Sequence, residues 1–428
     1  MSAAGARRAI IVGGGIGGLL SAAAAAASFD EVLLLERDDY PPRPQGAAPP
    51  PRPGVPQSRC LHMLTVYGMG CFDALLPGWR REVEAAGGER FDLGADARWC
   101  LPSGAVAHFE AGLEIYACSR FVLEQALRRR LDDLGSVRPM PGTVVDGLRF
   151  DPSGEQVCGV LAQREGQAEE LAAELVVDVS GRGSALAKWL DVGARLEETV
   201  VKSAWAYCGQ WFEQSSDDAP PWKVLSIAPP SAEAQGLLAC RSEGPFWGVA
   251  LLQPVGRELQ GEDLLDAARE LESEDLERLR GSVEAVSSIH RLGAGRSRRR
   301  AYEKIEPWPR GLAALGDSVC ALDPLHGLGM SAAAGGAKLL REHLQAATAD
   351  GIELDTARFQ RDLAQLNQRP WELTTGRSVD GGPPAFDRRA LRLLSLEARR
   401  DPTAAREMLE IRQMVRPAPP TPSTQGRT

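Results

Sequence analysis

Residues 8–36 read RAIIVGGGIGGLLSAAAAAASFDEVLLLE, and the organisation of the whole chain turns on them. Residues 8–13 make a short apolar run suited to a buried strand, and residues 31–35 (EVLLL) make a second. Five glycines between Gly13 and Gly18 separate the first run from an alanine-rich stretch, Leu19 to Ala27. Small side chains let such a helix pack closely on a sheet, so strand, turn, helix and strand predict one compact βαβ unit. Gly13, Gly15 and Gly18 fill the fixed positions of G-x-G-x-x-G. Gly13 permits the tight turn, Gly15 lets the backbone approach a pyrophosphate, and Gly18 brings helix and strand together. The first helical N–H groups, around Ile16 and Gly17, then offer donors and a partial positive charge to the phosphates. Glu36 ends the second strand, where its carboxylate can accept from both hydroxyls of an adenosine ribose. A 2′-phosphate would be repelled there, which disfavours NADP at this site. The motif alone leaves FAD and NAD open.

The chain has 428 residues, more than one core usually organises, so two interleaved domains are expected. Its 49 Lys+Arg stand against 58 Asp+Glu, a net charge of -9, which argues against a nucleic-acid binder. The eight cysteines contain no CxxC pair, so reduced thiols are expected rather than a metal site or a disulfide framework. The glycines interrupt the apolar stretch that follows Arg7 and Arg8, so it does not read as a signal sequence. No other stretch is long enough to span a bilayer, and a cytoplasmic, soluble protein is expected.

Further along, residues 41–56 are proline-rich and must be a loop, either lying over a ligand or disordered. The pattern SRFVLEQALRRRL from Ser119 predicts an amphipathic helix with Ser119 as N-cap. Residues 142–179 read as strands and a hairpin, and 200–255 as a second sheet. Residues 261–282 read as a charged helix. Helical periodicity returns from Met330 to about Ala347 and from about Arg388 to Val415. Residues 416–428 are expected to be disordered.

Three segments resemble the single-chain FAD monooxygenases related to aromatic hydroxylases and polyketide epoxidases. They are IIVGGGIGGLLSA with Glu36-Arg37, DVSGRGSAL at 178–186, and GLAALGDSVCALDPLHGLGMSAA at 311–333. GVPQSRCLHML at 54–64 and PWELTTGR at 370–377 are similar to a branch that modifies natural products, antibiotics among them. The resemblance implies an α/β fold: a Rossmann-type FAD-binding domain (1–75, 115–190 and 300–350) interleaved with a mixed-sheet substrate domain (76–114 and 191–299). C-terminal helices would occupy 351–415. It also implies that Asp317 binds the ribityl chain, that Gly327, Gly329 and Met330 open a helix facing the flavin, and that Pro324 lies beside the reactive ring. Arg120 would reach the cofactor's phosphates or ribose, with Arg37 beside Glu36. Arg59 would touch flavin or pyrophosphate, or lie on the surface. The implied chemistry takes electrons from NADPH or NADH and one oxygen atom from O2. That atom passes through a flavin C4a-hydroperoxide to an apolar aromatic or alkene substrate.

Departures from the pattern matter. The Asp-Gly pair that serves FAD and NADPH in many such hydroxylases reads Ser180-Gly181 here, so electrons arrive either directly or through a separate flavin reductase. The basic run Arg296, Arg298, Arg299, Arg300 could hold a 2′-phosphate or be a solvated strand. His326 and His62 are candidates for proton exchange or packing residues. Trp205, Trp211, Trp222 and Trp247 either line a substrate pocket or form core. A halogenase would need a WxWxIP segment and a lysine; the nearest stretch, Trp222 to Ile227, lacks the second tryptophan and the Ile-Pro pair. An FAD-dependent isoprenoid reductase or dehydrogenase, or a non-catalytic flavoprotein, would also accommodate the glycine turn and Glu36. No metal ligand set stands out.

Overall fold

A computed structural model describes residues 6–40 and 47–420. Strand β1 (Arg8–Val12), helix α1 (Ile16–Ala26) and strand β2 (Glu31–Leu35) form the βαβ unit the sequence predicts. Helix α2 (Val66–Leu75), helix α3 (Arg120–Asp132) and strands β3 (Val137–Met140) and β4 (Leu175–Asp178) follow. Ser119 caps α3 as its sequence position implies, its hydroxyl accepting from the Val122 N–H at 3.3 Å.

A second sheet is built around β5 (Glu198–Gln214), β6 (Phe246–Pro254) and β7 (His290–Arg300), which pair antiparallel in the order β7-β5-β6. Strand 97–101 joins its far side by pairing in parallel with strand 224–227, so the sheet is mixed. The chain then returns through β8 (Leu312–Ala314) to helices α4 (Gly329–Asp350), α5 (Thr356–Thr375), α6 (Arg388–Glu397) and α7 (Pro402–Arg412).

The first sheet is all parallel, in the order β8-β4-β1-β2-β3. Ile10, Ile11, Val32, Leu34, Val176 and Val177 are all buried in it, as expected of strands covered on both faces. Glu36 and Asp178 sit at or just beyond the carboxyl ends of their strands, the edge where α/β sheets bind ligands. In the second sheet, Trp211, Trp222 and Trp247 are buried, and Trp222 packs edge-on to Trp247 at 5.7 Å. These three are core; Trp205 is only half-buried.

Three expectations need correction. Residues 261–282 form two short helices, Leu264–Ala267 and Glu274–Arg280, not one. Asp263 and Ser273 cap them, and Glu272 between them takes φ 39°, a left-handed value that no α-helix passes through. The span from Arg388 to Val415 breaks at Asp401-Pro402, where an N-cap and a proline begin α7. Within the helical region expected over 351–415, residues 356–375 form the 20-residue α5. The start of the expected tail is engaged. Arg416 pairs with Glu410 at 2.7 Å, and the Pro419 carbonyl accepts from the Asp387 N–H at 2.7 Å. Residues 421–428 of that tail, and 41–46 of the proline loop, lie outside the described residues.

Candidate functional site

The glycine turn closes where β1 meets α1. Gly13 takes φ 105°, and its N–H donates to the Leu35 carbonyl at 2.8 Å, tying the turn to the end of β2. A Cβ on Gly18 would strike the Gly13 carbonyl oxygen, so helix and strand approach only because both residues are glycine. Gly15 differs: the nearest atom to its Cβ position is Nη2 of Arg120, at 3.5 Å. No side chain caps α1, which leaves its first-turn N–H groups for a ligand.

Glu36 is more heavily engaged than an open ribose acceptor. It is buried, and its Oε2 accepts from the Gly14 N–H at 2.7 Å while Oε1 accepts from the Asp38 N–H at 2.9 Å. Arg52, from the proline-rich loop, adds an ion pair to Oε2. That guanidinium also meets Glu124 at 2.7 Å, Asp38 at 3.3 Å and the Gly14 carbonyl at 3.2 Å. Arg120 reaches Glu124 at 2.6 Å and Arg128 reaches it at 3.5 Å, while the Tyr40 ring lies under Arg52 and Arg128. Burial would raise the Glu124 pKa, but the charges of Arg120 and Arg52 outweigh it and hold the carboxyl below its ordinary value. Tyr40 is pushed up to about 12, chiefly by burial. Because Arg52 neutralises Glu36, repulsion of a 2′-phosphate at this acid is weaker than the sequence implies.

The second motif lies within electrostatic reach of the first. Burial raises the Asp317 pKa, against the lowering charges of Arg182 and Arg120. Arg182 pairs with Asp317 at 3.4 Å and donates to the carbonyls of Arg296 (2.9 Å) and Leu322. Ser180, standing in place of a carboxylate, donates to Asp178 at 2.5 Å, and Ser184 donates to the same acid at 2.6 Å. After Pro324, which is exposed, Gly327 turns with φ 64° into Leu328, and no side chain caps α4. Gly329 stands 4.0 Å, as a Cβ position, from Asp317 Oδ1, and Met330 is half-buried beside it.

His326 faces open space, yet desolvation and the charge of Arg412 push its imidazole down to about 4. His62 is likewise lowered to about 3, by desolvation and then Arg120, while its Nδ1 lies 2.9 Å from the Cys60 carbonyl. Both rings are therefore neutral near pH 7. Arg59 is exposed and acts on His290; the arginine of its loop that reaches the glycine turn is Arg52. Arg37 is exposed, with only a 3.9 Å approach to Asp38. In the basic run, Arg299 pairs with Glu303, and Arg300 pairs with Glu198 at 3.2 Å and donates to the Ser318 carbonyl. Arg298 donates to the Arg182 carbonyl. The run is largely neither solvated nor free for a phosphate.

Sequence reasoning missed Arg52, Glu124, Arg182 and Arg412. Only Glu124 had a local signal, four residues after Arg120 on one helix face. Among the described residues there is no cluster of three His, Cys, Asp or Glu that could hold a metal, and no helix is long and apolar enough to cross a membrane. A separate pocket of about 400 Å³, lined by Tyr302, Trp308 and Gln360, lies against α5 and contains none of the motif residues.

No protein-family model matches the chain. It is similar to Protein Rv3254 of Mycobacterium tuberculosis, with 31% identity over 325 residues that cover 70% of this chain. The match spans 66% of that protein's length. Among solved structures, p-nitrophenol 4-monooxygenase PnpA of Pseudomonas putida superposes with TM-score 0.66 and 16% identity, covering 96% of this chain and 99% of that one. The flavin-dependent brominase Bmp2 gives 0.65 and 17%, over 95% and 92%. The 2-methyl-3-hydroxypyridine-5-carboxylic acid oxygenase gives 0.61 and 20%, over 97% and 100%. The chain has the fold of the flavin-dependent monooxygenases and halogenases.

Proposed function

We propose that this chain is an FAD-dependent monooxygenase that inserts one oxygen atom of O2 into an apolar aromatic or alkene substrate, by hydroxylation or epoxidation. The observation that carries the reading is the position of Arg120. Its guanidinium lies beside Gly15 and its charge acts on Asp317, so one cation joins the glycine turn to the second motif. A ligand that uses both ends is a flavin dinucleotide; NAD would need only the first.

The residues fit that group. Pyrophosphate would lie over Gly13 to Gly18 and the uncapped end of α1, against Arg120. Asp317 would accept from a ribityl hydroxyl, and the uncapped amides of α4, from Gly329 and Met330 onward, would favour negative charge at the ring's edge. Bound FAD, once reduced, would supply the electrons that activate O2. The protein's own part is to orient the substrate and to keep water out. With their pKa values lowered to about 4 and 3, His326 and His62 are weak bases, which suits a substrate that needs no deprotonation.

Electrons would come from NADPH or NADH, directly or through a flavin reductase; the serine at Ser180 favours the second route. A cytoplasmic role in tailoring natural products accords with the segments at 54–64 and 370–377. The halogenase reading is weaker because Lys223 pairs with Glu89 at 3.4 Å and donates to the Arg90 carbonyl, and Trp222 is core.

The test is to reduce purified protein anaerobically with NADPH or NADH, with and without a flavin reductase, and then admit 18O2 with an alkene or arene panel. Label in the product supports the monooxygenase. Product that is reduced without label favours the reductase, and brominated product in the presence of bromide favours the halogenase. Protein that neither carries nor binds FAD ends the proposal.

A further inference from the structure

On the reading that FAD lies across this cleft, Asp317 accepts from its ribityl chain, and whatever holds Asp317 governs how well it does so. The middle motif supplies that hold. Ser180 stands where many such hydroxylases carry an aspartate, and its hydroxyl is spent on Asp178, as is that of Ser184. Gly181 then turns with φ 83°, a left-handed value, and its N–H donates to the Ser318 hydroxyl at 3.1 Å. The turn delivers Arg182 to the Asp317 carboxylate.

Every nitrogen of that guanidinium has a partner. Nε lies 3.4 Å from Asp317 Oδ2, Nη1 donates to the Arg296 carbonyl at 2.9 Å, and Nη2 donates to the Leu322 carbonyl. The Arg182 carbonyl accepts in turn from Arg298. One residue therefore ties the segment 316–322 to strand β7 of the second sheet, with Asp317 at the junction. A lysine ammonium supplies the same charge but not this planar, three-way fork. Among the described residues the cations acting on Asp317 are Arg182, then Arg120 and Arg298, and the buried Cys320 thiol feels its charge. Arg120 is shared with Glu124 at 2.6 Å, and Arg298 approaches Glu198 at 3.9 Å. Burial favours the protonated acid and these cations oppose it, Arg182 most strongly. A protonated acid is a poorer hydrogen-bond acceptor than a carboxylate.

We propose that Arg182 is the positioning residue of the flavin site: its fork orients the Asp317 carboxylate for the ribityl chain, and its charge is that acid's counter-ion. Its effect on FAD binding then has two parts. Orientation is lost at any pH when the fork is removed. The charge matters only where Asp317 begins to take up a proton, and burial moves that range above the ordinary carboxylate value. Without the cation the range moves higher still. Because the ion pair is partly exposed, solvent screens it and both effects are modest.

The test is titration of FAD into FAD-free protein, followed by flavin fluorescence from about pH 8 to about pH 5. Arg182→Gln should bind FAD about threefold to tenfold more weakly at about pH 8, and the deficit should grow in acid because its Asp317 protonates first. Arg182→Lys should keep the deficit at high pH but follow the native slope. Asp317→Asn should bind weakly with a flatter profile, and adding Arg182→Gln should not steepen it. Native affinity in Arg182→Gln, or a deficit that stays constant across the range, overturns the proposal and leaves the FAD reading standing. So does an Arg182→Lys profile that matches Arg182→Gln throughout. If Arg182→Gln does not fold, Arg182→Lys decides alone: the native slope supports the counter-ion, and a steeper one overturns it. If the native protein binds no FAD at any pH, the monooxygenase reading fails and takes this proposal with it.

Discussion

Arg52→Met tests whether the acid at the end of β2 is held by the loop that follows it. The substitution keeps most of the side-chain volume and removes one of three cations facing Glu36, Asp38 and Glu124. Taking one partner from a buried ion pair costs about 3–5 kcal/mol when the other is left alone. Here Glu124 keeps Arg120 at 2.6 Å and Arg128 at 3.5 Å, and Glu36 keeps two backbone donors at 2.7 and 2.9 Å. Roughly half the full penalty, about 2 kcal/mol, is therefore expected. The sign with pH follows from Glu124, whose pKa is held below its ordinary value. Its ionised form stabilises the fold above about pH 4.3 and that contribution is lost as pH falls through the folded value. Arg52 supplies part of it, so the gap between native and variant protein should be widest near pH 7 and should narrow below about pH 4. Urea unfolding of the FAD-free protein, followed by both fluorescence and circular dichroism, measures the gap. A loss under about 1 kcal/mol at pH 7, or a gap that widens in acid, refutes the reasoning. The Arg52→Met, Glu36→Gln double variant should recover at least about 0.5 kcal/mol relative to the sum of the singles.

Gly15→Ala and Gly18→Ala should separate cofactor binding from folding. A methyl on Gly15 has room, its nearest neighbour being Arg120 at 3.5 Å, so the variant should fold with nearly native Tm yet bind FAD about tenfold or more weakly. On Gly18 the methyl meets the Gly13 carbonyl, so the protein should unfold early or not accumulate; a stable Gly18→Ala protein would contradict the packing. His326 should titrate near 4 in histidine ε1 proton spectra, and Arg412→Gln should raise that midpoint by removing a positive neighbour. A midpoint above 6 in the native protein would mean that the ring is hydrated rather than desolvated. Because the folded pKa lies below the unfolded one, this histidine should destabilise the fold progressively as pH drops from about 6.5 toward 4.

What the sequence disclosed was what local chemistry controls. The βαβ unit was legible because its strands are continuous apolar runs and its turn needs glycine at fixed spacing. The α3 boundary was legible because Ser119 caps it from one residue away. Arg52 was not, since a proline-rich loop has no periodicity and its partners lie 16 and 72 residues off in sequence (52 − 36 and 124 − 52). Arg59 looked the better candidate only because it stood in a recognisable segment. The break in 261–282 was written in Asp263 and Ser273, but charge periodicity across the span masked two caps. Helix α5 hid behind Pro370 and a polar surface, and its identity rests on burying Phe359, Leu363 and Trp371. Arg412 gave no signal at all, because its action on His326 depends on the docking of Gln413 and Met414.

The strand order of the parallel sheet has a consequence for when the pocket comes into being. Its centre, β1, is flanked by β2 and by β4, and β8 completes the edge. Of these pairings only β1 with β2 joins near neighbours in the chain; β4 and β8 arrive after roughly 165 and 300 further residues have been made. Asp317, the α4 amides and Arg412 come later still. During synthesis the glycine turn therefore emerges long before the residues that would grip the other end of a flavin. Until β8 is in place, the apolar flank of β4 has nothing beside it, and the nascent chain carries an open sheet edge through most of its translation.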